Sequence, residues 1–297
     1  MQKNIAARFV LSFIPLILAC GCAGPLPAAQ AEEPPVVLIG AGDIANCETQ
    51  HDEQTAALIA GYPEAAVFSI GDNAYGEGTR EDFDKCFEPS WGPLKDRLRP
   101  VPGNHDYKTN LGLPYYDYFG EAAGEPGLGY YSYELGSWHI VTLNSNCTQV
   151  DCGPGSAQVR WLYEDLRLNK QRCTLLYWHH PYWSTDAQQG SSTVETFWKI
   201  ANRFRAEVVV NGHDHFYERY APMNSQSKYD KEGVRMFIVG TGGSDLHALP
   251  EIRPNNIARD NSTFGVIKFN LYSSRYEWEF IPTEGGQFTD SGAGECH

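Results

Sequence analysis

The sequence predicts an α/β fold in which two mixed β-sheets pack face to face as a sandwich, with helices outside. Three observations carry that expectation. Short apolar runs alternate with helical patterns; a second set of strand-like runs follows with no long helix between some of them; and each run of the first set ends at a polar cluster of Gly with Asp, Asn or His.

In chain order, Lys3 and Arg8 come before an apolar run over residues 9–19, too short to span a bilayer and shaped like a secretory h-region. The charged start and Pro15 argue against a buried helix there. Ile17-Leu18-Ala19-Cys20 resembles a bacterial lipobox, in which Cys20 would be lipidated and become the mature N-terminus; the competing reading is simple secretion, with cleavage near Ala29-Gln30-Ala31. Residues 1–19 are thus expected to be a signal peptide of lipoprotein type, and residues 20–35, rich in Pro and Ala, a tether. Residues 36–297 are expected to form one catalytic domain, because no repeat, low-complexity tract or linker follows Pro35. The protein is expected to be exported, as a periplasmic or cell-surface lipoprotein or in secreted form, and to meet a membrane only through a lipid on Cys20.

Val36-Val37-Leu38-Ile39, residues 65–70, residues 173–178 and Glu207-Val208-Val209-Val210 read as buried strands, each rich in β-branched or aromatic residues. Residues 52–60 read as a helix, and Ser156 as the cap of another that carries Val159, Leu162 and Leu166 on one face. Residues 130–135, 138–143, 234–239, 264–271 and 276–281 supply the second set of strands.

The hydrophobic fraction of 42%, with seven Trp, 17 Tyr and 14 Phe, is ample for a core. The formal charge of −14, with scattered basic residues, argues against a nucleic-acid partner. Beyond the tether stand Cys47, Cys86, Cys147, Cys152, Cys173 and Cys296, an even set expected to form disulfides in an exported chain. Only Cys147 with Cys152 is close enough to propose locally, which leaves Cys47 with Cys86 and Cys173 with Cys296 as the remaining expectation.

The strand-end clusters are Gly42-Asp43, Gly71-Asp72-Asn73-Ala74-Tyr75, Gly103-Asn104-His105-Asp106, His179-His180-Pro181 and Asn211-Gly212-His213-Asp214-His215. Asp43, Asp72, His179 and His213 would fall at or just beyond the C-terminal ends of successive strands, and so could converge on one open edge. A carboxylate such as Asp72 can bridge two cations, clamping the attacking and leaving oxygens of a phosphoryl transfer. His213 and His215, one residue apart, project to one side of extended backbone. His180 is expected to face away from His179. Asn104 offers an amide oxygen suited to a divalent ion, and Gly103 admits close backbone approach. His105 is the expected catalytic group, binding a phosphoryl oxygen or protonating the departing alkoxide, with Asp106 orienting its ring.

Together these residues resemble the metallophosphoesterases and, within them, the purple acid phosphatases, whose blocks are Asp-x-Gly, Gly-Asp-x-x-Tyr, Gly-Asn-His-Asp/Glu, a valine-rich strand ending in His, and Gly-His-x-His. The resemblance covers residues 36–282 and implies a four-layer α/β/β/α architecture. It also implies two metal ions, the first held by Asp43, Asp72, Tyr75 and His215, the second by Asp72, Asn104, His179 and His213. Residues 216–219 are similar to the plant and bacterial members. Where many metallophosphoesterases carry Asp-x-His in the first block, this chain has Ala45, and a phenolate at Tyr75 could fill the vacancy. Holding tyrosine ionised calls for a hard, highly charged cation, which favours Fe3+ there, while the second donor set suits Zn2+, Mn2+ or Fe2+.

The chain departs from some purple acid phosphatases in having no histidine in residues 184–197, where they carry further substrate-facing ones. The expected reaction is direct hydrolysis of a small phosphorylated substrate, a monoester, by a hydroxide on the trivalent metal or bridging the pair, at acidic pH. The alternatives are a phosphodiesterase or nucleotide hydrolase using the same centre, and a non-catalytic metal-binding lipoprotein.

Overall fold

Continuous apolar runs flanked by turns give a chain many strands that can be covered on both faces, and this chain uses them that way. The computed structural model describes residue 1 and residues 33–186, 191–249 and 251–297. Residues 2–32, with the expected signal peptide, the Cys20 lipobox and most of the tether, lie outside the described residues. In chain order the strands are β1 (Val36–Ala41), β2 (Ala66–Ile70), β3 (Leu98–Val101), β4 (Tyr131–Leu135), β5 (Trp138–Thr142), β6 (Cys173–Tyr177) and β7 (Val208–Asn211), then β8 (Tyr217–Tyr220), β9 (Arg235–Val239), β10 (Asn256–Asp260), β11 (Gly265–Leu271), β12 (Arg275–Pro282) and β13 (Asp290–Glu295).

They form two mixed sheets, as expected. One runs β13-β12-β11-β1-β2-β3, the other β10-β8-β9-β7-β6-β5-β4. Within the first, β1, β2 and β3 are parallel neighbours; within the second, β5, β6, β7 and β9 are. Side-chain alternation along these strands decides the layering. Ile140, Leu175, Tyr177, Val208, Val210, Phe237 and Val239 share one core with Leu38, Phe68, Ile267, Phe269 and Trp278 of the first sheet. Their neighbours in sequence, Val141, Leu176, Val209, Met236 and Ile238, point the other way. There they meet Val159, Leu162 and Leu166 of the helix Ala157–Leu168, and Phe197, Trp198 and Ala201 of the helix Glu195–Arg203. The first of these helices starts at Ser156, whose hydroxyl accepts from the Val159 amide at 3.2 Å. The helix His51–Ala60 covers β11 on the far side of the first sheet. Among the described residues no helix is long and apolar enough to cross a membrane.

The expected disulfides are all present, Cys47–Cys86, Cys147–Cys152 and Cys173–Cys296. Because all the parallel strands run the same way within their sheets, the loops after β1, β2, β3, β5, β6, β7 and β9 gather on common edges. Direct backbone bonds lace the two edges together: the Gly42 amide donates to the Val239 carbonyl at 2.9 Å, and the Gly242 amide to the Gly42 carbonyl at 2.9 Å.

Candidate metal centre

Three of the residues in these loops hold backbone that side chains disfavour. Asp43, Asp72 and His213 have φ of 60°, 50° and 70°, the left-handed region, at a cost of order 1–3 kcal/mol each. The turns that create it swing each side chain off its strand axis and into the space between the sheets' edges. Close packing fixes the result: a Cβ on Gly103 would lie 2.1 Å from Asp72 Oδ1 and 2.2 Å from its amide nitrogen. The absence of a side chain at Gly103 therefore lets the third loop sit directly on Asp72.

Two donor sets result, and Asp72 belongs to both. In the first, the Tyr75 hydroxyl lies 2.9 Å from Asp43 Oδ1, 3.2 Å from Asp72 Oδ2 and 2.8 Å from His215 Nε2. In the second, His179 Nε2 lies 3.4 Å from Asp72 Oδ2, 3.1 Å from Asn104 Oδ1 and 3.2 Å from His213 Nδ1. All seven residues that the sequence nominated as ligands are therefore brought together.

Two of the imidazoles are held by carbonyls in one tautomer. His179 Nδ1 donates to the Ile70 carbonyl at 2.7 Å and His215 Nδ1 to the Asp245 carbonyl at 2.6 Å. A carbonyl only accepts, so Nδ1 carries a hydrogen, and in the neutral ring the lone pair is on Nε2, which faces the carboxylates, as a metal ligand requires. Buried carboxylates, imidazoles with inward lone pairs, a phenol and an amide oxygen make a donor set that fits two cations.

The electrostatics of the bare site point the same way. Asp43 and Asp72 are both sealed from solvent. Burial would raise their carboxyl pKa values, yet the field of His215 at Asp43 and of His179 at Asp72 outweighs it, so both are held below the usual range. For His179 burial again opposes the charge, but Asp72 wins and lifts it to about 9. Burial, with the charges of Asp43 and Asp72 added, pushes the Tyr75 phenol well above 10. That phenol becomes a phenolate only if positive charge enters beside it.

Two expectations need correction. Asp106 does not reach the His105 ring. Its buried carboxylate instead accepts from the Gly103 amide at 2.8 Å, the Asn73 side chain at 3.0 Å and the Asn73 amide at 3.2 Å, bracing the second loop against the third. The tight turn that brings Gly103 onto Asp72 points the carboxylate back into the strand ends. The His105 ring packs against Tyr75, centroids 4.4 Å apart, and its Nδ1 lies 2.8 Å from the Gly76 carbonyl and 3.0 Å from Lys108 Nζ. His180 is the second correction. It does not face away from His179: its ring lies 4.9 Å from that of His179 and 4.4 Å from that of His213. The turn after β6 breaks the alternation that extended backbone would have imposed.

His247 went unnoticed in the sequence. It stacks on His215 with centroids 4.0 Å apart, and its amide donates to the His215 carbonyl at 2.8 Å. It is a lone histidine in the loop after β9, outside every motif, and only the topology that lays β9 beside β7 could have signalled it.

Residues 25–217 match the family model described as calcineurin-like phosphoesterase. Probable purple acid phosphatase 20 of Arabidopsis thaliana is 30% identical over 234 residues, which cover 66% of this chain and 52% of that protein. Purple acid phosphatase 23 of the same plant is 26% identical over 261 residues, covering 74% and 55%. Among solved structures, the purple acid phosphatase PPD1 from yellow lupin (Lupinus luteus) seeds superposes with a TM-score of 0.73 at 19% identity, over 91% of this chain and 55% of that one, a likeness of fold. The chain spans about half the length of the curated relatives it matches.

Proposed function

Because the chain belongs to the calcineurin-like phosphoesterase family, we propose that it hydrolyses phosphate monoesters at a two-metal centre, with residues 36–297 as the catalytic domain. The observation that carries this reading is the shared position of Asp72, with the Tyr75 hydroxyl at 3.2 Å on one side and His179 Nε2 at 3.4 Å on the other. Asp43, Asp72, Tyr75 and His215 would hold one cation, and Asp72, Asn104, His179 and His213 the other. Two cations there would supply the positive charge that ionises a water and holds the phosphoryl oxygens.

Around them the chain's own groups have separable tasks. The Ile70 and Asp245 carbonyls fix the tautomers of His179 and His215. Asp106 holds the Asn104 loop against Asn73. His105, half-buried beside Tyr75, has no hydrogen-bond partner at Nε2 among the described residues, which leaves that nitrogen to meet a phosphoryl oxygen or the leaving group. The phenol at Tyr75, buried among two carboxylates, is most readily ionised by a trivalent cation, which favours Fe3+ at the first position and acidic working pH. The second set suits Zn2+, Mn2+ or Fe2+. Three disulfides fit an oxidising compartment and hence export.

The test is to purify the protein, measure its metals and visible spectrum, and compare turnover of an aryl phosphate monoester with that of the diester. Asp72→Ala and His213→Ala are expected to lose bound metal and turnover together. His105→Ala should keep its metals and lose roughly 10²–10⁴-fold in turnover, the range of a general acid–base group. A colourless zinc or manganese protein of full activity would remove the ferric assignment, and a fully metallated protein that leaves both esters intact would overturn the function.

A further inference from the structure

His180 stands outside both donor sets, yet its ring is in the site. One of its nitrogens lies within 4.8 Å of a nitrogen of His179 and of one of His213. Its position is set by Ser145, in the loop after β5. The Ser145 hydroxyl is 2.8 Å from His180 Nδ1 and accepts from the His180 amide at 2.9 Å. Ser145 is 3% exposed, and these are the partners of its hydroxyl among the described residues.

A hydroxyl has one hydrogen to give. With the His180 amide already donating to it, and Nδ1 the available acceptor, the Ser145 hydrogen goes to Nδ1. Any other arrangement leaves a buried hydroxyl hydrogen unpaired, at a cost of about 1–3 kcal/mol. In the neutral ring the proton then sits on Nε2. Among the described residues Nε2 has no hydrogen-bond partner, and it is not among the sealed unpaired atoms such as Asn211 Oδ1 and Asp214 Oδ1, so solvent reaches it. A nitrogen that carries a hydrogen is a donor and not a metal ligand.

We propose that His180 is a substrate-binding residue that donates its Nε2 hydrogen to a phosphoryl oxygen, with Ser145 as the positioning residue that fixes its tautomer. The inference rests on the phosphoesterase reading. It also fills a gap: residues 184–197 carry no histidine that could do this work. A neutral donor suits the place, since it adds a hydrogen bond to the phosphate without adding charge beside the imidazoles His179 and His213.

Two experiments test it. In metal-free full-length protein labelled with 15N-histidine, the His180 signals, identified by their loss in His180→Gln, should show a pyridine-type Nδ1 and a pyrrole-type Nε2; the opposite tautomer overturns the proposal. In metal-loaded protein, calorimetric titration with inorganic phosphate should show His180→Ala binding about tenfold or more weakly, the worth of one hydrogen bond to a charged group, with both metals retained. His180→Gln, whose amide can reach the same oxygen, should recover most of the affinity, and Ser145→Ala should give a smaller loss with unchanged metal content. Unchanged phosphate affinity in His180→Ala, or loss of one metal equivalent, overturns the proposal. Because wild-type turnover and metal content are measured in the same series, failure of the phosphoesterase reading would appear in the wild type itself, separately from these variants.

Discussion

Tyr75 and Asp106 show what single residues contribute here. The Tyr75 hydroxyl is within hydrogen-bond distance of three groups of the first donor set, so Tyr75→Phe removes one proposed ligand and leaves Asp43, Asp72 and His215 in place. The expected outcome is loss of any phenolate-to-iron absorption and weaker retention of one metal equivalent, read by spectrum and metal analysis, with the second equivalent kept. Asp106 is a brace, so its removal should act on stability first. Asp106→Ala leaves the Gly103 amide, the Asn73 backbone amide and one hydrogen of the Asn73 side chain unpaired in a buried place, the side chain still donating to the Val101 carbonyl. At about 1–3 kcal/mol for a lost buried partner, a drop of roughly 3 kcal/mol in urea unfolding of the metal-free protein is expected. If Asp106 acted only by orienting His105, stability would hardly change and only turnover would fall. That both residues lie in the loops that meet at Asp72 was legible from Gly-Asp-x-x-Tyr and Gly-Asn-His-Asp. What Asp106 touches was not, because the direction of a side chain in a tight turn depends on a neighbouring loop 33 residues away in sequence.

At the scale of elements, the central strands β1, β2, β6 and β7 announce themselves and the two edge strands of the first sheet do not. β1, β2, β6 and β7 are buried runs of β-branched and aromatic residues and were readable within a residue or two. β3 was missed because it contains Pro100, tolerable only where the sheet ends, and β3 is that end. β13 is the other end, with the sequence Asp-Ser-Gly-Ala-Gly-Glu. Its glycines are there because a Cβ at Gly292 would lie 2.4 Å from the Trp278 ring, and one at Gly294 would lie 2.4 Å from the Tyr276 ring. The aromatic residues of β12 supply the apolar cover that β13 lacks. The edge of the second sheet carries a pH-dependent feature of its own. His139 on β5, 5% exposed, donates to Glu134 Oε1 on β4 at 2.9 Å and to Asp165 Oδ2 on the helix Ala157–Leu168 at 2.7 Å. Burial disfavours the imidazolium, but the bonds to Asp165 and Glu134 outweigh it and its pKa is raised. The stabilisation is therefore fully present below the unfolded value of about 6.5 and is lost as pH rises through the higher folded value. Urea midpoints of the metal-free wild type and His139→Gln, followed from about pH 6 to about pH 9, should converge as pH rises. A gap that stays constant or widens with pH would exclude a charged His139.

For the whole molecule, the question is what keeps two sheets in register so that loops from both meet at Asp72. The donor residues do not do this without cost, since Asp43, Asp72 and His213 hold left-handed backbone. Away from the site, Arg219 on β8 of one sheet forks onto Asp290 on β13 of the other, at 2.6 and 2.8 Å. Asp290 also accepts from the Tyr217 hydroxyl at 2.6 Å and from Trp278 Nε1 at 3.1 Å. The Arg219 guanidinium lies 5.0 Å from the Trp278 ring centroid. Both charged side chains are largely covered, at 13% and 9% exposure. The Cys173–Cys296 disulfide, joining positions 123 residues apart, then ties the end of the chain to β6. A buried pair of this kind adds little compared with an apolar contact of the same shape, but removing one partner strands the other charge. Asp290→Ala should therefore destabilise the oxidised protein by about 3–5 kcal/mol in urea unfolding, and Asp290→Asn by less, because an amide oxygen still accepts from Arg219. At temperatures where both variants stay folded, metal content and turnover per folded molecule should match the wild type, since among the described residues Arg219 and Asp290 make no hydrogen bond to the donor residues. The coupling is checked by Arg219→Met with Asp290→Ala. If the double variant is no more stable than Asp290→Ala alone, the loss comes from Tyr217 and Trp278, and Arg219 does not hold the sheets together.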